Sequence, residues 1–140
     1  MSNSLTNLGQ QVALFNDQNG ANTNTGGIVK VAARLKLYKS TSTPSKAGTG
    51  FNEVDNGNGY TTGGIAITTA DWTMSVVSGN AQVQLADKTW SAVGGQIANI
   101  AGAYITDADG RVIAWWERTT VMTLNDGDAT TADDLILRIV

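Results

Sequence analysis

Apolar and polar residues alternate along residues 28–39 of the chain. The odd positions from 29 to 37 are apolar, whereas Lys30, Arg34 and Lys36 occupy even positions. Because successive side chains of a strand point to opposite faces of its sheet, this pattern predicts a strand with one buried and one basic face. In the simplest case the basic face is solvated. If it binds a partner, it would meet an acidic patch and fix the register of the contact.

Short runs rich in β-branched and aromatic residues follow residue 59, with turn-forming residues between them. Their spacing of roughly 8 to 12 residues is typical of antiparallel sandwiches and barrels. Residues 107–110 have the turn chemistry of a hairpin, and residues 125–128 form a second such turn. We therefore predict a mainly β fold, either an antiparallel β-sandwich or a jelly-roll-like barrel. The predicted strands after residue 59 are 60–69, 72–78, 81–85, a run around Trp90, 97–106, 111–118, 121–124 and 135–140.

The N-terminal residues follow another pattern. Four apolar residues recur at helical spacing: Leu5, Leu8, Val12 and Phe15. Asn3 or Ser4 could cap the first turn of such a helix. Residues 16–27 are polar and turn-forming, with no helical or strand period. We predict a short helix and a polar arm over residues 1–27, followed by a single β domain over residues 28–140.

Residues 40–59 carry Pro44 and several glycines, and they end in the sequence Asn-Gly-Asn-Gly. This composition favours turns over regular structure. We predict a long surface loop here, and loops of this length in compact domains often carry binding function.

Composition narrows the chemistry that the chain can perform. Its 140 residues have the usual size of one domain. The sequence contains no Cys and no His, so the commonest general base, the commonest metal ligand and the thiol nucleophile are all missing. Glu53 and Glu117 are the two glutamates, and several aspartates stand beside Gly or Asn, where they favour turns. We expect no enzymatic activity, no catalytic residue and no cofactor.

Two groups of aspartates could still supply oxygen ligands to a calcium ion. They are Asp107 with Asp109, and Asp126, Asp128 and Asp133 with Asp134. Neither group completes the pattern of an EF-hand loop, which requires a distant Glu. We interpret these residues as turn formers and expect no metal site.

The charge of the chain limits its partners. Its formal net charge is -3 and its pI is about 4.6, whereas phosphate binding requires clustered positive charge. No apolar run approaches the roughly 20 residues that span a bilayer, and the first residues lack the pattern of a secretory leader. We expect neither nucleic acid nor a membrane as a partner. Charged residues make up 15% of the chain, and so weakly charged a surface suits packing into an assembly, although a carbohydrate-binding domain could share it.

Trp115 and Trp116 are neighbours in a predicted strand, so their side chains point to opposite faces. The even positions Val112, Ala114 and Trp116 are apolar and are predicted to face the core. The odd positions mix apolar and charged residues, which makes Trp115 and Ile113 the best candidates for an exposed apolar surface. A tryptophan at such a position favours an interface. Alternatively, an N-terminal or loop segment of the same chain covers these residues.

The order of several motifs resembles that of small structural proteins of tailed bacteriophages, a group that includes capsid cement or decoration proteins. The matching pieces are Leu35-Lys36-Leu37-Tyr38, Gly59-Tyr60, Tyr104-Ile105-Thr106-Asp107, Gly110-Arg111-Val112-Ile113-Ala114-Trp115 and Asn125-Asp126-Gly127-Asp128. Each motif consists mainly of strand and turn residues, so their order carries the resemblance. Together they span most of the chain from residue 28 onward.

The resemblance implies a β domain that is made in the host cytoplasm and then sits on the outer surface of the virion capsid. There it would bind the major capsid protein, associate with copies of itself, commonly as a trimer, and clamp neighbouring capsomers. It implies no catalytic residue. An alternative interpretation is a phage tail or host-recognition protein that binds a cell-surface glycan through Trp115 or the loop 40–59.

Overall fold

The structure is a computed structural model that describes residues 3–6, 9 and 27–138. A single-turn helix, α1, spans Gly27–Val31, and a 3-10 turn spans Thr69–Asp71. The strands are β1 (Asn3–Leu5), β2 (Arg34–Lys39), β3 (Ile65–Ala66), β4 (Trp72–Val77), β5 (Asn80–Leu85), β6 (Lys88–Ser91), β7 (Ile97–Thr106), β8 (Val112–Leu124), β9 (Ala129–Ala132) and β10 (Ile136–Arg138). None of the described helices is long and apolar enough to cross a membrane.

The strands form three antiparallel sheets that share one hydrophobic core. A five-stranded sheet has the order β1-β8-β7-β2-β3, a three-stranded sheet has the order β10-β5-β4, and β6 pairs with β9 in a ribbon. Leu35 and Trp116 from the first sheet, Leu85 from the second and Trp90 from the ribbon lie in the same buried cluster. The mainly β, antiparallel fold predicted from the sequence is confirmed, and the sheets are arranged like an open sandwich.

The strand predicted over residues 28–39 is correct only from residue 34 onward. Residues 27–31 form α1, and the Ala32 amide donates to the Ile28 carbonyl oxygen at 2.9 Å. A strand would have placed Ile28 and Ala32 on the basic face, whereas a helical turn buries both. Lys30 therefore belongs to α1 and does not share a strand face with Arg34 and Lys36.

The predicted N-terminal cap at Asn3 or Ser4 is wrong, because these residues belong to β1. This strand pairs with β8 along its whole length, with Asn3 opposite Trp116 and Leu5 opposite Ala114. Leu5 therefore packs against the main core from a strand. The remaining residues of the predicted helix, Leu8, Val12 and Phe15, lie outside the described residues.

Three further strand predictions need correction. Within the predicted strand 60–69, only Ile65–Ala66 pairs in a sheet, and β9 occupies residues where no strand was predicted. The predicted strands 111–118 and 121–124 are parts of one strand, β8. In β8 the four residues 118–121 lie between the pairs Gly102–Glu117 and Ile100–Met122. The pairing with β7 is therefore irregular at these residues, but β8 continues through them.

Both predicted turns are present. In the first, which joins β7 to β8, the Gly110 amide donates to the Asp107 carbonyl oxygen at 3.1 Å, and Gly110 has a φ of 83°. In the second, the Asp128 amide donates to the Asn125 carbonyl oxygen at 2.9 Å. Tight turns therefore connect β7 to β8 and β8 to β9.

Candidate binding surface on the outer face of the five-stranded sheet

Strands β7 and β8 fall out of register at Ile113. Ile105 lies opposite Ala114, but Thr106 lies opposite Val112, which leaves Ile113 as an extra residue in β8. Such a β-bulge interrupts the alternation of side chains between the two faces of a sheet. Ile113 consequently points into the main core and is fully buried. The prediction that Ile113 is exposed is therefore wrong.

The bulge also changes the orientation of Val112. This residue is buried as predicted, but it packs with Tyr38 and Tyr104 outside the main core. Beyond the bulge the predicted alternation holds: Ala114 and Trp116 face the main core, whereas Trp115 faces the other way.

Four aromatic side chains pack on the face of the five-stranded sheet that is turned away from the main core. They are Tyr38 from β2, Tyr104 from β7, Trp115 from β8 and Phe51 from the loop 40–59, and we call them the aromatic face. The ring centroid of Phe51 lies 5.0 Å from that of Tyr104, 5.6 Å from that of Tyr38 and 5.7 Å from that of Trp115. Aromatic pairs are favourable at centroid separations of about 4.5 to 7 Å. Phe51 is thus the residue that joins the other three.

Trp115 is partly buried beneath this contact. A loop segment of the same chain therefore covers part of the indole, as the sequence allowed, and the rest of it remains accessible. The sequence pattern singled out neither Tyr38 nor Tyr104, although Tyr38 shares the even parity of Arg34 and Lys36. It gave no signal for Phe51, since no periodic pattern extends through the loop.

Backbone hydrogen bonds of Asn52 and Val54, just after Phe51, hold the loop against β2. The Lys39 amide donates to the Asn52 carbonyl oxygen at 2.8 Å, and the Val54 amide donates to the Leu37 carbonyl oxygen at 3.0 Å. The segment that carries Phe51 is thereby attached to the sheet. The aromatic face is preassembled in the folded chain.

A buried tyrosine anchors the end of the same loop. The Tyr60 hydroxyl donates to a carboxylate oxygen of Glu53 at 2.8 Å, and the Gly63 amide donates to the same oxygen at 2.6 Å. Tyr60 also accepts a hydrogen bond from the Leu37 amide at 3.1 Å. Burial raises the pKa of Tyr60, and the nearby Glu53 raises it further, so the hydroxyl keeps its proton. Glu53 therefore has a structural role.

The N-terminal segment is fixed at the bulge by Thr6. Its hydroxyl donates to the Val112 carbonyl oxygen at 2.6 Å and lies 3.0 Å from the Ile113 carbonyl oxygen. The hydroxyl oxygen of Thr6 also accepts a hydrogen bond from the Gly9 amide at 3.0 Å. Thr6 is buried, and its hydroxyl gives the Val112 carbonyl oxygen a partner, whereas the Ile113 carbonyl oxygen also accepts from the Thr6 amide at 2.9 Å.

The predicted basic residues lie in two places. Arg34 and Lys36 are on β2, on the same face as Tyr104 and Trp115, because Lys36 lies opposite Tyr104, which lies opposite Trp115. The Lys36 Nζ atom is 5.9 Å from the centroid of the Tyr104 ring, near the outer limit of a cation–π contact. Lys30 is exposed on α1. The structure thus places two of the three predicted cations beside the aromatic face.

The tyrosines of the aromatic face remain neutral over the physiological range. Burial, assisted by the charge of Glu117, raises the pKa of Tyr38 to about 12. Burial and the charge of Glu53 also raise the pKa of Tyr104. Both hydroxyls therefore stay protonated, and the buried Tyr38 hydroxyl donates to the Trp116 carbonyl oxygen of β8 at 3.3 Å.

The carboxylate of Asp107 is hydrogen-bonded within the turn that joins β7 to β8. Its carboxylate accepts hydrogen bonds from the Asp109 and Arg111 amides at 3.0 and 2.9 Å, and the Arg111 side chain donates to it at 2.8 Å. These contacts are typical of a turn-forming aspartate. Within the described ranges, no group of three or more acidic side chains could hold a metal ion.

Comparisons of the chain with protein-family models, with curated proteins and with solved structures found no match. The geometry brings aromatic and basic side chains together on one face of the five-stranded sheet. Trp115 and Phe51 offer partly accessible aromatic groups over the buried Tyr38 and Tyr104, and Arg34 and Lys36 add positive charge at one side. Aromatic residues and arginine are the groups that contribute most at protein interfaces.

Proposed function

We propose that this chain is a non-catalytic structural protein of a tailed-phage virion that binds the outer surface of the capsid and cements neighbouring capsomers. The observation that carries the binding role is the preassembled aromatic face, with Phe51 fixed over Trp115 and Tyr104. The capsid location is supported by the order of motifs that resembles decoration proteins. The major capsid protein is the proposed partner.

A preassembled aromatic surface suits this role because its side chains are already ordered before the partner arrives. Binding then loses less conformational entropy, so more of the contact energy appears as affinity. Many copies on one shell would add modest individual contacts into a large collective resistance to internal pressure. Arg34 and Lys36 would orient each copy against acidic groups on the shell.

Binding to capsids that lack this protein tests the proposal. The purified chain should bind such heads of its own phage stoichiometrically and raise the temperature at which they release DNA. Trp115→Ala should weaken binding by roughly 30-fold or more, as expected for a central aromatic residue at an interface. Val93→Ala removes an exposed valine outside the aromatic face and should leave binding unchanged.

The proposal would be abandoned if the unmodified protein failed to bind these heads. Equal losses for Trp115→Ala and Val93→Ala would retain the capsid role but exclude the aromatic face as the contact. Circular dichroism of each variant shows whether a loss of binding follows from a loss of folding.

The structure favours a second candidate through one observation. The loop 40–59 and Trp115, each a candidate for glycan binding, lie together because Phe51 contacts the indole. The partly exposed rings of Phe51 and Trp115 could stack on a sugar. On this alternative, the labelled protein would bind host cells, Trp115→Ala would abolish that binding, and removal of surface glycan would abolish it too. Binding that survived glycan removal would exclude the alternative.

A further inference from the structure

Strand β4 forms the longest free sheet edge among the described strands. The five-stranded sheet ends at β1 with three residues and at β3 with two, and the three-stranded sheet ends on its other side at β10, also with three. β4 has six residues, and all six pair with β5 without a shift in register. Short or irregular edge strands are common protections against edge-to-edge pairing, and β4 has neither protection.

The sequence of β4 also lacks the residues that usually block pairing. Trp-Thr-Met-Ser-Val-Val contains no charged residue and no proline. The side chains of Thr73, Ser75 and Val77 are exposed on the sheet face. The nearest acidic residue before the strand, Asp71, is neutralised by Lys88, with a distance of 2.7 Å between Lys88 Nζ and the carboxylate oxygen. No charge on β4 itself opposes the approach of another strand.

The hairpin turn determines which backbone groups face outward. Ser78 and Gly79 connect β4 to β5, with φ values of 51° and 81°, as in the two-residue turns that favour tight hairpins. In such a hairpin the flanking residues, Val77 and Asn80, bond to each other, and alternate residues continue that ladder. The amides and carbonyls of Met74 and Val76 therefore point away from β5. No group within the described residues forms a hydrogen bond with them.

We propose that β4 is a self-association site, at which the β4 strand of a second copy of this chain pairs antiparallel to it. A two-fold axis at Ser75 would place Met74 of each copy opposite Val76 of the other. The outward amides and carbonyls would then form four hydrogen bonds. On the exposed face, Thr73 of each copy would meet Val77 of the other, a pair of β-branched residues that packs well across strands.

A second copy fits this edge because a symmetric antiparallel pair makes one strand complementary to itself. The two three-stranded sheets would join into one continuous sheet of six strands. The contact is small and carries no charge, so association should be weak and concentration-dependent. It lies on a different sheet from the aromatic face, and the two surfaces can be tested independently.

Sedimentation equilibrium of the full chain tests this proposal. We expect a monomer–dimer equilibrium whose dimer fraction rises as the concentration approaches about 1 mM, a range that detects weak association. Ser75→Lys places two like charges opposite each other at the axis and should leave only monomer. Ser91→Lys makes the same change at an exposed strand position of the ribbon and should dimerise like the unmodified protein.

A second measurement requires no variant. Hydrogen exchange at the Met74 and Val76 amides should slow with rising protein concentration, because pairing protects these two amides. A chain that stays monomeric up to about 1 mM would overturn the proposal, since even weak pairing is detectable there. Dimers of Ser75→Lys as stable as those of the unmodified chain, or a concentration-independent exchange rate at both amides, would also overturn it.

Discussion

Trp115 and Trp116 stand next to each other in β8, yet they have different surroundings. Trp116 is fully buried in the core that all three sheets share, and its indole Nε1 donates to the Ile136 carbonyl oxygen of β10 at 3.3 Å. Trp115 is partly buried on the opposite face, where Phe51 from a loop covers it. One indole thus connects two sheets, and the other is partly exposed on the outer face of one sheet.

The difference predicts that substitutions on the two faces of β8 have different effects. Contacts made by several sheets cannot rearrange independently, so the loss of Trp116 leaves a cavity that the structure fills poorly. The contact of Trp115 with the loop residue Phe51 can rearrange more easily, because the loop can shift without the sheets. We therefore expect substitutions on the inner face to lower the free energy of unfolding and those on the outer face to change binding more than stability.

Replacing each tryptophan by alanine gives the largest expected contrast. Trp116→Ala should lower the free energy of unfolding by about 3–5 kcal/mol, the usual range for a buried large aromatic residue. Trp115→Ala should lower it by about 1–2 kcal/mol, because the indole is only partly buried. Urea denaturation of both variants measures the difference. A loss for Trp115→Ala equal to that for Trp116→Ala would contradict the proposed division between the two faces.

Thr6→Val tests whether the β-bulge at Ile113 depends on the Thr6 hydroxyl. The valine keeps the shape of the side chain but removes the hydroxyl that donates to the Val112 carbonyl oxygen and accepts from the Gly9 amide, while the Ile113 carbonyl oxygen keeps the Thr6 amide as its donor. We expect a loss of about 1–3 kcal/mol, because buried polar groups are left without partners. The exposed Thr131→Val is the matched control and should change stability by less than about 0.5 kcal/mol. Equal urea midpoints for the two variants would exclude the anchoring role.

The sequence predicted the fold where pattern and turn chemistry agreed. Residues 97–106 form β7 with the predicted bounds, and the two predicted turns are present because Gly and Asp fix them locally. The prediction failed where two periods fitted the same residues. Ile28 and Ala32 are four residues apart, which fits one turn of a helix. The alternation of residues 29–37 fitted a strand equally well, and the strand was predicted.

The sequence predicted less of the candidate site. Trp115 followed from alternation, but the same rule misplaced Ile113, because a bulge depends on pairing between distant strands and leaves no local signal. Phe51 could not be predicted for a related reason. Its position over Trp115 is set by backbone hydrogen bonds between the loop and β2, which are tertiary contacts.

Alkaline pH should destabilise the protein through its tyrosines, of which the outer face holds two. All three tyrosines have pKa values raised by burial, and the pKa of Tyr38 reaches about 12. Above pH 10 the unfolded chain loses these protons while the folded chain retains them, so stability is unaffected below pH 10 and falls as pH rises toward 12. Tyr38→Phe should make that fall less steep. Urea midpoints measured across this range test the sign, and a midpoint that rises with pH would contradict it.

Lys36→Gln should have the smallest effect on the free energy of unfolding. It therefore separates an effect on binding from an effect on stability most clearly. Its Nζ atom lies near the limit of contact with the Tyr104 ring, so we expect a change of less than about 0.5 kcal/mol in the free energy of unfolding. Binding to heads should nevertheless weaken, and the loss should shrink at high salt, because added ions screen a charge that meets an acidic partner. Lys46→Gln makes the same change at an exposed lysine outside the aromatic face and should leave binding unaltered. A salt-independent loss of binding for Lys36→Gln would mean that the lysine contributes by packing. Equal binding of the Lys36→Gln and Lys46→Gln variants would show that the charge of Lys36 does not contribute to the contact.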